Sequence, residues 1–190
     1  MAKNTAIFLD RDGTVNEEVG YLDREDKLMI FEAAYDAVRL INAGGFKAVV
    51  VTNQAGVAKG LFTEDFVRKI NAQIQAAMIE KGAMIDRFYF CPHHPEGLDP
   101  YRVICGCRKP EPGLLIRAAA DLDLDLSRSY MIGDRLRDVE TAHRAGAKGV
   151  LVRTGYGWDE SQDEASDLNR PDYIAPDILE AVRWILKDRT

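Results

Sequence analysis

Six short runs of β-prone apolar residues recur along the chain: Ala6 to Leu9, Ala48 to Val51, Phe88 to Phe90, Tyr130 to Ile132, Val150 to Val152 and a weaker Tyr173-Ile174. Each is nearly continuous in apolar residues instead of alternating with polar ones, which is the pattern of strands covered on both faces of a parallel sheet. Parallel strands need crossovers between them, and helices are the usual solution. Phe31 to Ile41 carries apolar residues at helical spacing and stops at Gly44-Gly45. Thr63 reads as an N-cap, with Glu64 and Asp65 in the first turn of a helix reaching Lys81-Gly82. Leu114 to Leu122 follows Pro110 and Pro112, Val139 to Ala145 stops at Gly146, and Ile178 to Leu186 closes the chain. This order predicts a doubly wound α/β fold with a mainly parallel sheet, in which ligands sit beyond the carboxyl ends of the strands. With 190 residues and no repeat or long polar linker, the expectation is one domain spanning residues 1–190.

Asp10-Arg11-Asp12-Gly13-Thr14 stands directly after the first run, so its carboxylates project from a strand end into the loop above the sheet. Two acids at this spacing can divide the work of a phosphoryl transfer. Asp10 would attack phosphorus, while Asp12 protonates the departing oxygen and later takes a proton from water. The attacking acid must be ionised, whereas the donor needs a raised pKa, and a divalent cation beside Asp10 favours that split. Gly13 permits a tight turn, within which Thr14 can form a hydrogen bond.

All three cysteines and two of the three histidines lie between residues 91 and 107, in Cys91-Pro92-His93-His94 and Cys105-Gly106-Cys107. In extended chain, residues i and i+2 point the same way. Cys91 with His93 therefore makes one jaw and Cys105 with Cys107 the other, joined by an eleven-residue loop. Three thiolates and an imidazole form a tetrahedral set typical of structural Zn²⁺, with no open position for chemistry. His94 could replace His93, though the spacing favours His93. Because the second jaw runs straight into Arg108-Lys109, the zinc is expected to position those residues.

Charge and hydropathy narrow the partners. The net charge of −6 lacks the basic coat of a nucleic-acid or anionic-membrane binder. No apolar stretch approaches the ~20 residues of a membrane helix, and Asp10 to Asp12 interrupt any secretory h-region at the start. A cytoplasmic protein is expected, with thiols kept reduced. Against this acidic background Arg11, Lys59, Arg108, Arg135 and Arg137 supply positive charge near the motifs, suited to a small polyanion.

The string Asp10 to Thr14 resembles the first motif of the haloacid dehalogenase superfamily of aspartate-nucleophile phosphatases. The later motifs of that family have counterparts in order: Thr52-Asn53 after the second run, Lys109 in Arg108-Lys109-Pro110, and Gly133-Asp134-Arg135-Leu136-Arg137-Asp138 after the fourth. The resemblance implies that Thr52 hydrogen-bonds the phosphoryl group and that Lys109 neutralises its charge and holds the nucleophile. Mg²⁺ would be bound by Asp10, Asp134 and the Asp12 backbone carbonyl, with Asp138 further out or capping the next helix. No long insertion follows the first motif or separates the second and third, so no large cap domain is expected and specificity falls to short loops.

The zinc loop is similar to that of the histidinol-phosphatase-related branch of the superfamily, whose members act on a heptose bisphosphate or on histidinol phosphate. The likeness to the heptose-specific members is closer, running from Asn16 to Leu151-Val152-Arg153-Thr154-Gly155. It implies removal of the C7 phosphate of D-glycero-D-manno-heptose 1,7-bisphosphate, on a route to nucleotide-activated heptose for surface lipopolysaccharide. It also implies substrate contacts at Asp10, Arg11, Asp12, Glu18, Val19, Gly20, Tyr21, Thr52, Asn53, Gln54, Ala55, Arg108, Lys109 and Arg135. Ala55 stands where serine is common, and Arg135 where lysine is common. The alternatives are a histidinol-phosphate phosphatase and a zinc-stabilised, non-catalytic binding module. The expected partner is a small anionic phosphosugar, with no nucleic acid and no membrane, and the expected state a monomer.

Overall fold

The computed structural model describes residues 3–162 and 166–188. Its centre is a six-stranded sheet built from β1 (Ala6–Leu9), β2 (Lys47–Asn53), β3 (Arg87–Cys91), β4 (Tyr130–Gly133), β5 (Lys148–Val152) and β6 (Tyr173–Ala175). The order is β3-β2-β1-β4-β5-β6, and every neighbouring pair is parallel. All six predicted runs are strands. β2 is longer than the sequence suggested, so Thr52 and Asn53 lie within it, paired to Phe90 and Cys91, and not in the loop beyond.

The connecting helices are α1 (Glu32–Ala43), α2 (Ala55–Ala58), α3 (Glu64–Glu80), α4 (Gly113–Leu122), α5 (Leu136–Arg144), α6 (Gly157–Glu160) and α7 (Ile178–Asp188). Alternate residues of each strand serve opposite layers. Ile7, Leu9, Val50, Ile132 and Val150 pack with Ile41 of α1, Ile70 and Ile74 of α3 and Ile185 of α7. Phe8, Val49, Val51 and Met131 face Leu115 and Ala118 of α4 and Ala142 of α5. The continuous apolar runs are the sequence signature of this double coverage. Thr63 caps α3 as expected, its hydroxyl accepting from the Phe66 amide at 3.2 Å. No helix is long and apolar enough to cross a membrane among the described residues.

The strand order places the site. From β1 the chain moves outward to β2 and β3, then returns to lay β4 on the other side of β1. The carboxyl ends of β1 and β4 thus flank the point where the winding reverses, which is where a crevice opens in such sheets. Asp10 leaves β1 there and Asp134 leaves β4.

Candidate active site

The Asp10 amide donates to the Ile132 carbonyl at 2.9 Å, which carries the β1–β4 ladder up to the motif. The chain then turns tightly, the amides of Val15 and Asn16 both donating to the Arg11 carbonyl. Gly13 has φ +83°, and a Cβ there would lie 2.2 Å from Asp134 Oδ2. Glycine is required on both counts.

Lys109 is buried with its ammonium between Asp10 Oδ1 and Asp138 Oδ1, each at 2.8 Å, and it also donates to the Val51 carbonyl at 3.1 Å. Its backbone is pinned to β2 by the Asn53 side chain, which accepts from the Lys109 amide at 3.0 Å and donates to its carbonyl at 3.1 Å. Asp134 Oδ2 accepts from the Tyr156 amide at 2.9 Å. Asp138 does two jobs, pairing with Lys109 and accepting from the Arg135 amide at 3.1 Å at the start of α5.

Asp10, Asp134 and Asp138 each offer an oxygen within 4.8 Å of the others, all buried. Three carboxylates against one ammonium leave excess negative charge. Burial, then the neighbouring carboxylates, push Asp134 up to about 8. Burial raises Asp10 to about 7 even though Lys109 opposes it. A buried, oxygen-only, over-charged donor set fits a hard divalent cation such as Mg²⁺.

Asp12 is different. Burial alone would raise its pKa, but Arg11, with Asn16 and Gln54, holds it below the ordinary carboxylate value. Arg11 reaches its two oxygens from Nε and Nη2 at 3.3 and 3.1 Å, Asn16 Nδ2 donates at 2.9 Å and Gln54 Nε2 at 2.8 Å. This order, Asp10 high and Asp12 low, reverses the split expected from the sequence. The cause is that Asp10 and Asp134 sit at a charge-excess centre, whereas Asp12 is saturated with donors. A cation beside Asp10 would lower it, and a phosphoryl dianion beside Asp12 would raise Asp12, so binding of both would restore the expected split.

A cavity of about 300 Å³ opens over these groups. Asp10, Asp12, Glu18, Gly20, Tyr21, Thr52, Asn53, Gln54, Ala55, Arg108, Lys109, Asp134 and Arg135 of the expected residues line it. Two do not. Arg11 is buried behind Asp12, its Nη1 donating to Asn71 of α3 at 3.2 Å, and Val19 points to solvent. Lys59 lies over the Tyr21 ring rather than in the cavity. Sequence reading missed Phe62, Tyr156 and the loop after β5, where the Thr154 hydroxyl donates to the Gly13 carbonyl at 2.6 Å.

At the sheet edge, the sulfurs of Cys91, Cys105 and Cys107 are 3.1 to 3.5 Å apart, and His93 Nδ1 is 3.5 Å from Cys107 and 3.8 Å from Cys91. These separations exclude disulfides, whose sulfurs lie ~2.05 Å apart. They are close to the edges of a tetrahedron of thiolate and imidazole ligands about 2.3 and 2.0 Å from Zn²⁺. His94 is outside the set, its Nδ1 accepting from the Glu96 amide at 3.1 Å. Arg108 Nη1 donates to the His93 carbonyl at 3.3 Å, tying this cluster to the cavity wall.

Residues 106–181 match the HAD-hydrolase-like family model. The D-glycero-D-manno-heptose-1,7-bisphosphate 7-phosphatase of Thermosynechococcus vestitus is 40% identical over 185 residues, covering 95% of this chain and 94% of the relative. The Escherichia coli K12 D-glycero-beta-D-manno-heptose-1,7-bisphosphate 7-phosphatase is 42% identical over 171 residues, covering 88% and 89%. The chain belongs to this phosphatase family. The crystal structure of the D,D-heptose 1,7-bisphosphate phosphatase from B. bronchiseptica, complexed with magnesium and phosphate, superposes with a TM-score of 0.84 at 30% identity, covering 97% of this chain and 99% of that one. As a member of the heptose-bisphosphate phosphatase family, the protein is a phosphoric monoester hydrolase of haloacid-dehalogenase-like fold.

Proposed function

We propose that this protein removes the C7 phosphate of D-glycero-D-manno-heptose 1,7-bisphosphate and releases heptose 1-phosphate, using Mg²⁺. The observation that carries the reading is the grouping of Asp10, Asp12, Thr52, Lys109 and Asp134 around one cavity whose rim holds Arg108 and Arg135. One end of such a cavity suits a reacting phosphoryl group and the other a second anion. The names of the relatives support the heptose bisphosphate.

Asp10 attacks phosphorus through a carboxylate oxygen, giving an aspartyl-phosphate as the C7 oxygen leaves. Asp12, oriented by Gln54, Asn16 and Arg11, hands its proton to that oxygen. It then takes a proton from the water that hydrolyses the aspartyl-phosphate. Thr52 and Lys109 bear on the phosphoryl oxygens, and Lys109 also keeps Asp10 aimed. Asp10, Asp134 and the Asp12 carbonyl, with Asp138 behind, would hold Mg²⁺, which would supply polarisation of the phosphoryl group and screening between an anionic nucleophile and an anionic substrate. Cys91, His93, Cys105 and Cys107 would hold a structural Zn²⁺, which would fix the approach of Arg108 and Lys109. The reading has the whole chain acting as one domain, a monomer in the cytoplasm.

Phosphorus NMR of the reaction with heptose 1,7-bisphosphate tests the proposal. Loss of the C7 resonance with the C1 resonance intact is expected. Loss from C1, or at least tenfold higher kcat/KM with histidinol phosphate, would overturn it.

A further inference from the structure

The geometry points to Arg137 as a specificity-determining residue that, with Arg108, grips the remote phosphate of a bisphosphorylated substrate. This rests on the phosphatase reading and extends it to a residue of the fourth motif that is not among the expected substrate contacts.

Three arginines line the cavity, namely Arg108, Arg135 and Arg137. Arg135 already has a partner, its Nη1 3.3 Å from Glu160 Oε1 and its guanidinium stacked 3.4 Å over the Tyr156 ring. Arg108 and Arg137 have no carboxylate partner among the described residues. Arg108 spends one donor on the His93 carbonyl, while the Arg137 side chain makes no hydrogen bond among the described residues. Both are partly withdrawn from solvent. Two unpaired cations facing the same space repel each other, and each guanidinium carries donors in a planar fork suited to a phosphate.

The local setting makes Arg137 harder to explain as an ordinary surface charge. It occupies the first turn of α5, where the helix dipole favours anions and a cation costs a few tenths of a kcal/mol or more. Residues that break a local rule without compensation inside the chain cluster at functional sites. The missing compensation here is an anion. It is not the reacting phosphoryl group, whose charge Lys109 and Thr52 meet. The anion left to pair with Arg108 and Arg137 is the second phosphate, presented across the cavity when the first is at Asp10.

Kinetics with paired substrates isolate that contact. For the parent, Arg137→Ala and Arg137→Lys, kcat/KM is measured with heptose 1,7-bisphosphate and with heptose 7-phosphate. The ratio of the two values should fall about tenfold in Arg137→Ala, chiefly through KM of the bisphosphate, and recover in large part in Arg137→Lys. An unchanged ratio overturns the inference, whether both values fall together, as a structural role predicts, or neither falls. If the parent does not hydrolyse the heptose bisphosphate, the substrate reading fails separately. The same ratio is then read with fructose 1,6-bisphosphate against fructose 6-phosphate, and the same fall or its absence decides the role of Arg137.

Discussion

Two clusters of anionic donors stand among the described residues, built by opposite strategies. The carboxylate centre draws on Asp10, Asp134 and Asp138, brought together because β1 and β4 end side by side, with Lys109 delivered by a loop pinned to β2. The thiol cluster draws on residues 91 to 107, a single loop leaving β3. The first is buried, carries more negative charge than Lys109 balances, and borders the cavity. The second offers four candidate ligands at the sheet edge. In the proposed mechanism the sheet holds the reacting groups with unspent charge, while a closed local clip aims Arg108 and Lys109 at them. The double hydrogen bond from Asn53 is where the two systems meet.

If the carboxylate centre is the chemical one, Asp10→Asn should lower kcat by ~10⁴-fold or more, the scale seen when a nucleophile is removed. Fold and zinc content should persist, since the change removes one like charge from a crowded site. Turnover near the parent level, followed by phosphate release, would refute covalent catalysis by Asp10. The thiol cluster should fail differently. Cys107→Ser should lose zinc, lower the thermal midpoint by ~10 °C, and cut kcat/KM by ~10²-fold through Arg108 and Lys109, because metal binding is folding free energy at such sites. Metal analysis with calorimetry and kinetics on one sample checks this, and zinc-free protein with parent kinetics would reduce the cluster to a passive ornament of the loop.

A third test separates the clusters by pH. Asp10 and Asp134 have folded-state values of about 7 and 8, above the ordinary carboxylate range. For a raised carboxylate the folded state binds more protons than the unfolded one, so without cation stability is lost as pH rises from the ordinary range through the raised value. Mg²⁺ binds the deprotonated forms. Its stabilisation should therefore grow between pH 5 and 8 and reach ~5 °C at saturating Mg²⁺, from about 2.7 kcal/mol at a hundredfold excess over Kd. Scanning calorimetry at several pH values reads it, and a Mg²⁺ effect that shrinks with pH would contradict the assignment.

The two clusters also differ in how legible they were. The thiol cluster is local, so spacing alone singled out Cys91, His93, Cys105 and Cys107 as candidate ligands, with His94 as the alternative to His93. The carboxylate motifs were legible because each directly follows a strand, and strands buried on both faces announce themselves as apolar runs. What escaped depends on contacts between distant segments. The four-residue helices α2 and α6 are too short to show a period. Nothing in Thr154-Gly155-Tyr156 signals that it folds over Gly13 and Asp134. The order of the Asp10 and Asp12 pKa values depends on which neighbours pack where. By position Arg11 reads as a substrate cation, yet it turns inward because Asn71, sixty residues on, offers it an acceptor.

That last contact yields the mildest test. Asn71 is buried on α3, and its Oδ1 accepts from the Arg11 guanidinium at 3.2 Å while the other donors of Arg11 hold Asp12. Asn71→Leu leaves one buried donor without a partner, at about 1 to 3 kcal/mol. Arg11 then has reason to swing, and Asp12 loses one of its three restraints while Asn16 and Gln54 remain. We expect kcat to fall about tenfold with KM changed less than twofold, because the reacting phosphate is still bound by Lys109 and Thr52. The loss should be larger for a sugar phosphate, whose departing alkoxide needs a well-aimed proton, than for an aryl phosphate, whose leaving group departs without one. Equal losses on both substrates would mean that Asn71 serves only the packing of α3 and that Asp12 needs no help from behind.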